Sequence, residues 1–195
     1  MIEFTALDLA PCRIVPFAPH HLTQRYVGWL NDPAVVRFSE QRHRQHDLAS
    51  CRSYAATFCG SADLFLAIEA ADAPDGLTAG SATGHVGNIT VAYDGPNASA
   101  DLSIMIGEAA ARGTGIGSAA WCGMVDWLLG PAGLRRVTAG TMAANHAMIA
   151  LMHKSGMTID ATRPRAFLLE GAEIDLVLAT RFAVPGQPDS LGARE

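Results

Sequence analysis

The stretch ARGTGIGSAAW, Ala111 to Trp121, places three glycines within five residues and then runs directly into helix-forming residues. A glycine in an ordered segment costs about 0.5–1 kcal/mol relative to alanine, so three together need a reason. One reason is a tight strand-to-helix turn. The other is close approach of a guest to the backbone. An anion suits that place, because amide N–H groups converge at a helix N-terminus that carries partial positive charge. Two familiar phosphate loops do not match. A P-loop ends in Gly-Lys-Ser/Thr, whereas Gly117 is followed by Ser118 and Ala119. A dinucleotide fingerprint belongs in a parallel βαβ unit, whereas the segments ahead of this loop read as an antiparallel hairpin.

That hairpin is HVGNITVAY (85–93) and ADLSIMIGE (100–108), joined by the turn residues DGPNAS. After the loop come a helix, SAAWCGMVDWLLG, and a strand, LRRVTAGTM. The helix ANHAMIALMHKSG follows, capped by Asn145 and closed by Gly156. RPRAFLLEGAEIDLVLATRF (163–182) is a closing hairpin that turns at EGAE. Working back from the loop, DLFLAIEAA is a strand and DAPDGLTAGSATG a flexible connection. CRIVPFAP is a first strand, and HHLTQRYVGWLND a helix with Leu22, Tyr26, Trp29 and Leu30 on one face, ended by Pro33. EQRHRQH is a polar loop, and Asp47 caps a second helix, LASCRSYAATFC. The order β α α β β β α β α β β predicts an α+β fold: a mixed, mostly antiparallel sheet flanked by helices on both faces. We read residues 1–195 as one domain, with a core over about 10–183 and a flexible tail over 184–195.

Composition narrows the function. Of 195 residues, 49% are hydrophobic and 17% charged, enough for a substantial core. The net charge of −5 argues against nucleic acid as a partner, since a phosphate backbone needs a basic face. No apolar run reaches the ~18 residues of a membrane span, and the start MIEFTALDLAPCRIV lacks signal-peptide character. Cys12, Cys51, Cys59 and Cys122 form no C-x-x-C pair and no zinc-ligand spacing, so we expect no metal and mostly buried, reduced thiols in a cytoplasmic protein.

The pattern [R/Q]-x-x-G-x-[G/A] is present as Arg112-Gly113-Thr114-Gly115-Ile116-Gly117. With the strand before it, the strand and helix LRRVTAGTMAANHAMIALMHKSGM after it, and the closing hairpin, the chain resembles the GNAT superfamily of N-acetyltransferases. The similarity covers about residues 10–183 and is nearest the branch of ribosomal-protein-alanine and amino-sugar-nucleotide acetyltransferases. It implies the GNAT fold and acetyl-CoA as cofactor. It also implies a pyrophosphate held on the amides of Gly113, Thr114, Gly115, Ile116 and Gly117, with Arg112 and Ser118 beside them. Met105 and Ile106, on a splayed strand from Ser103, would pair with the pantetheine arm, and Asn145 would hydrogen-bond that arm near the thioester.

Acetyl transfer to an amine needs a proton acceptor, stabilisation of a developing oxyanion and a leaving thiolate. Asp101 is the leading base candidate, acting through water, because related chains carry the longer glutamate there. His85 is a second, on its ordinary pKa range. The resemblance puts Met152 where many relatives carry a tyrosine that protonates the thiolate; methionine cannot, and His153 beside it points elsewhere on the helix. A thiolate can also leave unprotonated. For the acceptor, Arg42, His43, Arg44 and His46 suit an anionic amine through charge-assisted hydrogen bonds. An amino-sugar nucleotide fits them, a protein N-terminal amine is the competing acceptor, and Arg163 and Arg165 could serve either. A non-catalytic acetyl-CoA-binding module is the alternative of another class. A homodimer is compatible with the resemblance, but nothing in the sequence decides it.

Overall fold

The computed structural model describes residues 2–70 and 84–184. Residues 72–83 of the expected flexible connection and 185–195 of the expected tail lie outside them. In chain order the elements are β1 (Leu7–Leu9), β2 (Cys12–Pro16), α1 (Gln24–Asn31), α2 (Pro33–Val36), α3 (Leu48–Ala56), β3 (Leu64–Ala70), β4 (His85–Asp94) and β5 (Ser99–Ile106). They continue with α4 (Ile116–Leu129), β6 (Arg136–Met142), α5 (His146–Lys154), β7 (Thr158–Leu169) and β8 (Ala172–Phe182). Short 3-10 turns occupy Pro19–His21, Glu40–His43 and Ala109–Ala111.

The chain clusters into two compact units. Among the described residues, the glycine-loop unit lies within Phe4–Val91 and Ile104–Ala120; the C-terminal unit is Ala92–Ser103 with Trp121–Val184, joined by Ile2 and Glu3. β4, β5 and α4 each pass from one unit to the other.

In the glycine-loop unit β1, β2, β3 and β4 pair successively, all antiparallel. A register shift between Ile68 and Glu69 places Glu69 opposite His85. The apolar face of α1 packs as its spacing predicts: Tyr26, Val27, Trp29 and Leu30 form a cluster with Cys51 of α3 and Phe65 of β3, and Leu22 packs against it. α1 starts at Thr23, whose hydroxyl accepts the Tyr26 amide. Asp32 ends α1 and caps α2, with Pro33 at the first helical position, where its missing N–H costs nothing. Pro33 therefore stops one helix and starts another.

In the C-terminal unit β5 runs parallel to β6, pairing Ser99–Asp101 with Arg136–Thr138, and β6–β8 and β8–β7 are antiparallel. The sheet is mixed and mostly antiparallel. Trp121, Met124, Val125 and Leu128 of α4 are fully buried, as is Met152 of α5. The Trp121 indole N–H donates to the Ser155 hydroxyl at 2.9 Å, which donates to the Met152 carbonyl at 2.9 Å. The final hairpin turns at Glu170 and Gly171, both with positive φ (52° and 83°), the twist that suits a two-residue hairpin turn.

Three expectations change. β1 is an additional strand. β7 begins at Thr158, five residues before the expected start. It is an edge strand, exposed over nearly its whole length, with a register shift between Arg163 and Phe167. At that shift Arg165 has φ 53°, its amide donates to Asp175 at 2.8 Å, and its guanidinium forks onto the Glu173 carboxylate. The four cysteines are free, but only Cys12 and Cys51 are buried; Cys59 is exposed and Cys122 intermediate. Among the described residues no helix is long and apolar enough to cross a membrane.

Candidate active site

The glycine loop leaves β5, makes a 3-10 turn and enters α4. Gly113 (φ 78°) and Gly115 (φ 93°) occupy backbone conformations that side-chain-bearing residues rarely adopt. A Cβ at either would meet no atom within 4 Å, so the glycines are required by backbone conformation and the space above them is open. The first α4 backbone bond runs from Ala119 N–H to the Gly115 carbonyl at 2.9 Å, leaving the amides just ahead of it as the unfilled donors of a helix start. The Ser118 hydroxyl oxygen is buried and has no hydrogen-bond partner among the described residues. Open cradle, free amides and an unpartnered hydroxyl together suit an anion with several acceptor oxygens.

Arg112 does not stand free beside this cradle. Its Nε donates to the Ile106 carbonyl at 3.2 Å and its Nη2 to the Gly107 carbonyl at 3.1 Å, tying the loop to the end of β5. Thr114 closes the loop by donating its hydroxyl to the Ala111 carbonyl at 2.8 Å. Met105 and Ile106 are half-buried beside Gly87 of β4, where a Cβ would stand 2.3 Å from the Met105 carbonyl oxygen. Gly107 lies on the Trp29 indole so closely that a Cβ would fall 2.1 Å from a ring carbon. Gly107 and Trp29 matter to the loop, yet only their distant pairing reveals it; Trp29 reads in the sequence as one more apolar residue of α1.

His85 is in the same unit but in its core. Its ring, 1% exposed, sits among Phe17, His21, Tyr26 and Trp29. Its Nε2 donates to the Gly87 carbonyl at 3.0 Å. Burial, and secondarily the nearby His21, lowers its pKa to about 3. Such a ring is a weak proton acceptor, so the expectation of His85 as a base is corrected: it is a packed core histidine.

His20, His21 and Glu69 lie close enough to suggest a metal site. The hydrogen bonds argue otherwise. His21 Nδ1 accepts the Ala18 amide at 2.9 Å, so the neutral ring carries its proton on Nε2 and donates to Glu69 at 2.9 Å. A metal at Nε2 would require loss of that proton, leaving an imidazolate, or loss of the backbone bond.

The basic segment 42–46 also belongs to this unit. Arg42 is held by the Ser39 carbonyl (2.9 Å) and by Glu40 (2.8 Å), with its side chain 14% exposed. His43 and Arg44 are exposed. His46 is pinned by Asn31, which takes the His46 amide on Oδ1 and gives Nδ2 to its carbonyl, both at 2.8 Å. Of the four candidate acceptor contacts, His43 and Arg44 are thus the accessible ones.

In the C-terminal unit Asp101 lies on β5 opposite Thr138, whose hydroxyl donates to its carboxylate at 2.8 Å. Desolvation raises the Asp101 pKa, and the Thr138 bond opposes that rise. Asn145 caps α5: its Oδ1 accepts the Met148 amide at 3.2 Å, and its Nδ2 donates to the Thr141 hydroxyl at 3.0 Å. One amide N–H is left for another partner. Arg165 is committed to Glu173, whereas Arg163 is exposed.

The chain matches the family described as "Acetyltransferase (GNAT) domain" over residues 12–158. No curated protein is significantly similar in sequence. Among solved structures it is similar to a ribosomal-protein-S5-alanine acetyltransferase from Vibrio fischeri, with 11% identity and TM-score 0.75, covering 95% of this chain and 100% of that one. It is similar to a spermidine N-acetyltransferase from Vibrio cholerae, in complex with CoA and spermine, with 11% identity and TM-score 0.74, covering 89% and 96%. A microcin C7 self-immunity acetyltransferase in complex with acetyl-CoA and AMP gives 15% identity and TM-score 0.71, covering 88% and 92%. At these identities the structures speak for the fold; the family match speaks for the chemistry. The chain belongs to the GNAT superfamily and is an acetyl-CoA-dependent N-acetyltransferase.

Proposed function

We propose that the protein acetylates a primary amine by direct attack on acetyl-CoA, and that the amine is carried on an amino-sugar nucleotide. The observation that carries the cofactor part is the cradle at Gly113 and Gly115 with the unpartnered Ser118 hydroxyl. Acetyl-CoA supplies an activated acetyl thioester. The amides of residues 113–117 and the Ser118 hydroxyl hold its pyrophosphate, and Arg112 holds the loop itself rather than the phosphates. Met105 and Ile106 pair with the pantetheine arm, and Asn145 lends it the remaining amide N–H. Asp101 accepts the amine proton through water; its raised pKa makes it a stronger base than an ordinary aspartate. With a methionine at position 152, water or another donor serves the leaving thiolate, or the thiolate leaves unprotonated.

The exposed Arg44 and His43 favour an anionic acceptor such as a nucleotide diphosphate. We read residues 1–195 as one domain, with its core over about 10–183, working in the cytoplasm. The test is thermal shift with acetyl-CoA, followed by thiol release with an amino-sugar nucleotide, a ribosomal-protein N-terminal peptide and a polyamine. A shift with turnover on the first amine supports the full reading. Turnover on the peptide or polyamine alone replaces the acceptor, and absence of a shift removes the cofactor assignment.

A further inference from the structure

Two arginines grip the short tether between β5 and the glycine loop. From the loop side, Arg112 bonds the Ile106 and Gly107 carbonyls. From α1, Arg25 Nη1 reaches the Glu108 carboxylate at 3.7 Å, while its Nη2 donates to the His85 carbonyl at 2.5 Å. The Gly107 and Glu108 amides both donate to the next carbonyl on β4, that of Val86, at 3.0 and 3.1 Å. Trp29, one turn along α1 from Arg25, forms the floor under Gly107, and the Arg25 guanidinium lies 5.5 Å from the centre of its ring. Gly107 and Glu108 are therefore fixed by β4 and α1, and the loop hangs from them through Arg112.

We infer that Arg25 is a positioning residue for the acetyl-CoA diphosphate, acting through Glu108, Gly107 and Arg112 on the amides of residues 113–117. The inference rests on the reading that this loop holds the pyrophosphate. It gives α1 a role in donor binding. The physical reason is that a cradle of backbone donors binds an anion only as well as its amides are aimed, and a tether freed on one side lets them spread.

The test compares acetyl-CoA with its two halves. The probes are 3′-phosphoadenosine 5′-diphosphate, which carries the diphosphate, and S-acetylpantetheine, which lacks it. Affinities are measured by calorimetry and ligand-observed NMR for the parent, Arg25→Gln and Gly115→Glu. For Arg25→Gln we expect about tenfold weaker binding of acetyl-CoA and of the nucleotide half, with S-acetylpantetheine unchanged. Unchanged binding of the nucleotide half overturns the inference, as does equal weakening of both halves, which marks a general loss of structure. If Arg25→Gln does not fold, Glu108→Gln carries the same test at the other end of the ion pair: about threefold weaker nucleotide binding supports the inference and unchanged binding overturns it. Gly115→Glu separates the two failures. If it binds acetyl-CoA like the parent, the loop assignment itself falls. If it does not bind and Arg25→Gln binds normally, only the role of Arg25 falls.

Discussion

Asp101 is held by two opposed influences: lost water raises its pKa, and the Thr138 hydroxyl lowers it, with the first larger. A carboxyl whose folded-state pKa lies above its unfolded value favours the folded state below the unfolded pKa, and that contribution is lost as pH rises through the folded one. Asp101 is exposed on β5, so solvent screens this effect and the charged carboxylate costs little stability at pH 7.5. Asp101→Asn keeps an oxygen for Thr138 and removes the charge, so its Tm should equal or exceed the parent's while kcat falls at least tenfold. An unaltered kcat removes Asp101 from the mechanism. For the parent, kcat should fall on the acid side at a pH above that of an ordinary aspartate, since the deprotonated form is the working one. At Gly115 the space is open, so Gly115→Glu fails through backbone strain and charge rather than crowding; acetyl-CoA should give it no thermal shift. The glycines were legible in the sequence because their conformation and their neighbours in the chain carry the signal. His85 was not: its cage is built from Phe17, His21, Tyr26 and Trp29, which meet it only through folding.

Elements with a buried stripe were legible for the same reason. α1 announces itself through Tyr26, Trp29 and Leu30, and the β4–β5 hairpin through its apolar strands and turn residues. β1 has three residues, too few for a period, and the first residues of β7, Thr158 to Thr162, alternate polar and apolar over only five positions, with both faces exposed. The start of β7 is thus not legible, because burial does not shape the sequence there. On α5 the methionine at position 152 is fully buried above the Trp121–Ser155 bond. Met152→Tyr would bring a ring and a hydroxyl into filled space. It should lower stability by about 1–3 kcal/mol, without the gain in kcat that a restored proton donor would give. A rise in kcat would show that the position reaches the thioester after all.

At the scale of the molecule, His21 and His85 set an acid limit. Both are buried with lowered pKa values, His21 despite its bond to Glu69, and His85 to about 3. Below about pH 6.5 the unfolded chain takes up protons that these rings refuse, so stability falls with pH until the folded rings also titrate. The slope is about 1.4 kcal/mol per pH unit for each proton. Tm measured from pH 6.5 to 5, where most carboxylates are still charged, should fall steadily; a flat profile would mean that neither ring is kept neutral by the fold.

The interruption of β7 has a consequence for crowded solutions. A bare sheet edge offers a ladder of N–H and C=O groups on which a further strand can add, and repeated addition grows fibrils. Here Pro164 has no N–H to offer, and the Arg165 N–H is already given to Asp175. The regular ladder is interrupted at this register shift between Arg163 and Phe167. The edge cannot template a partner along its full length, which leaves this long exposed strand a poor seed for aggregation.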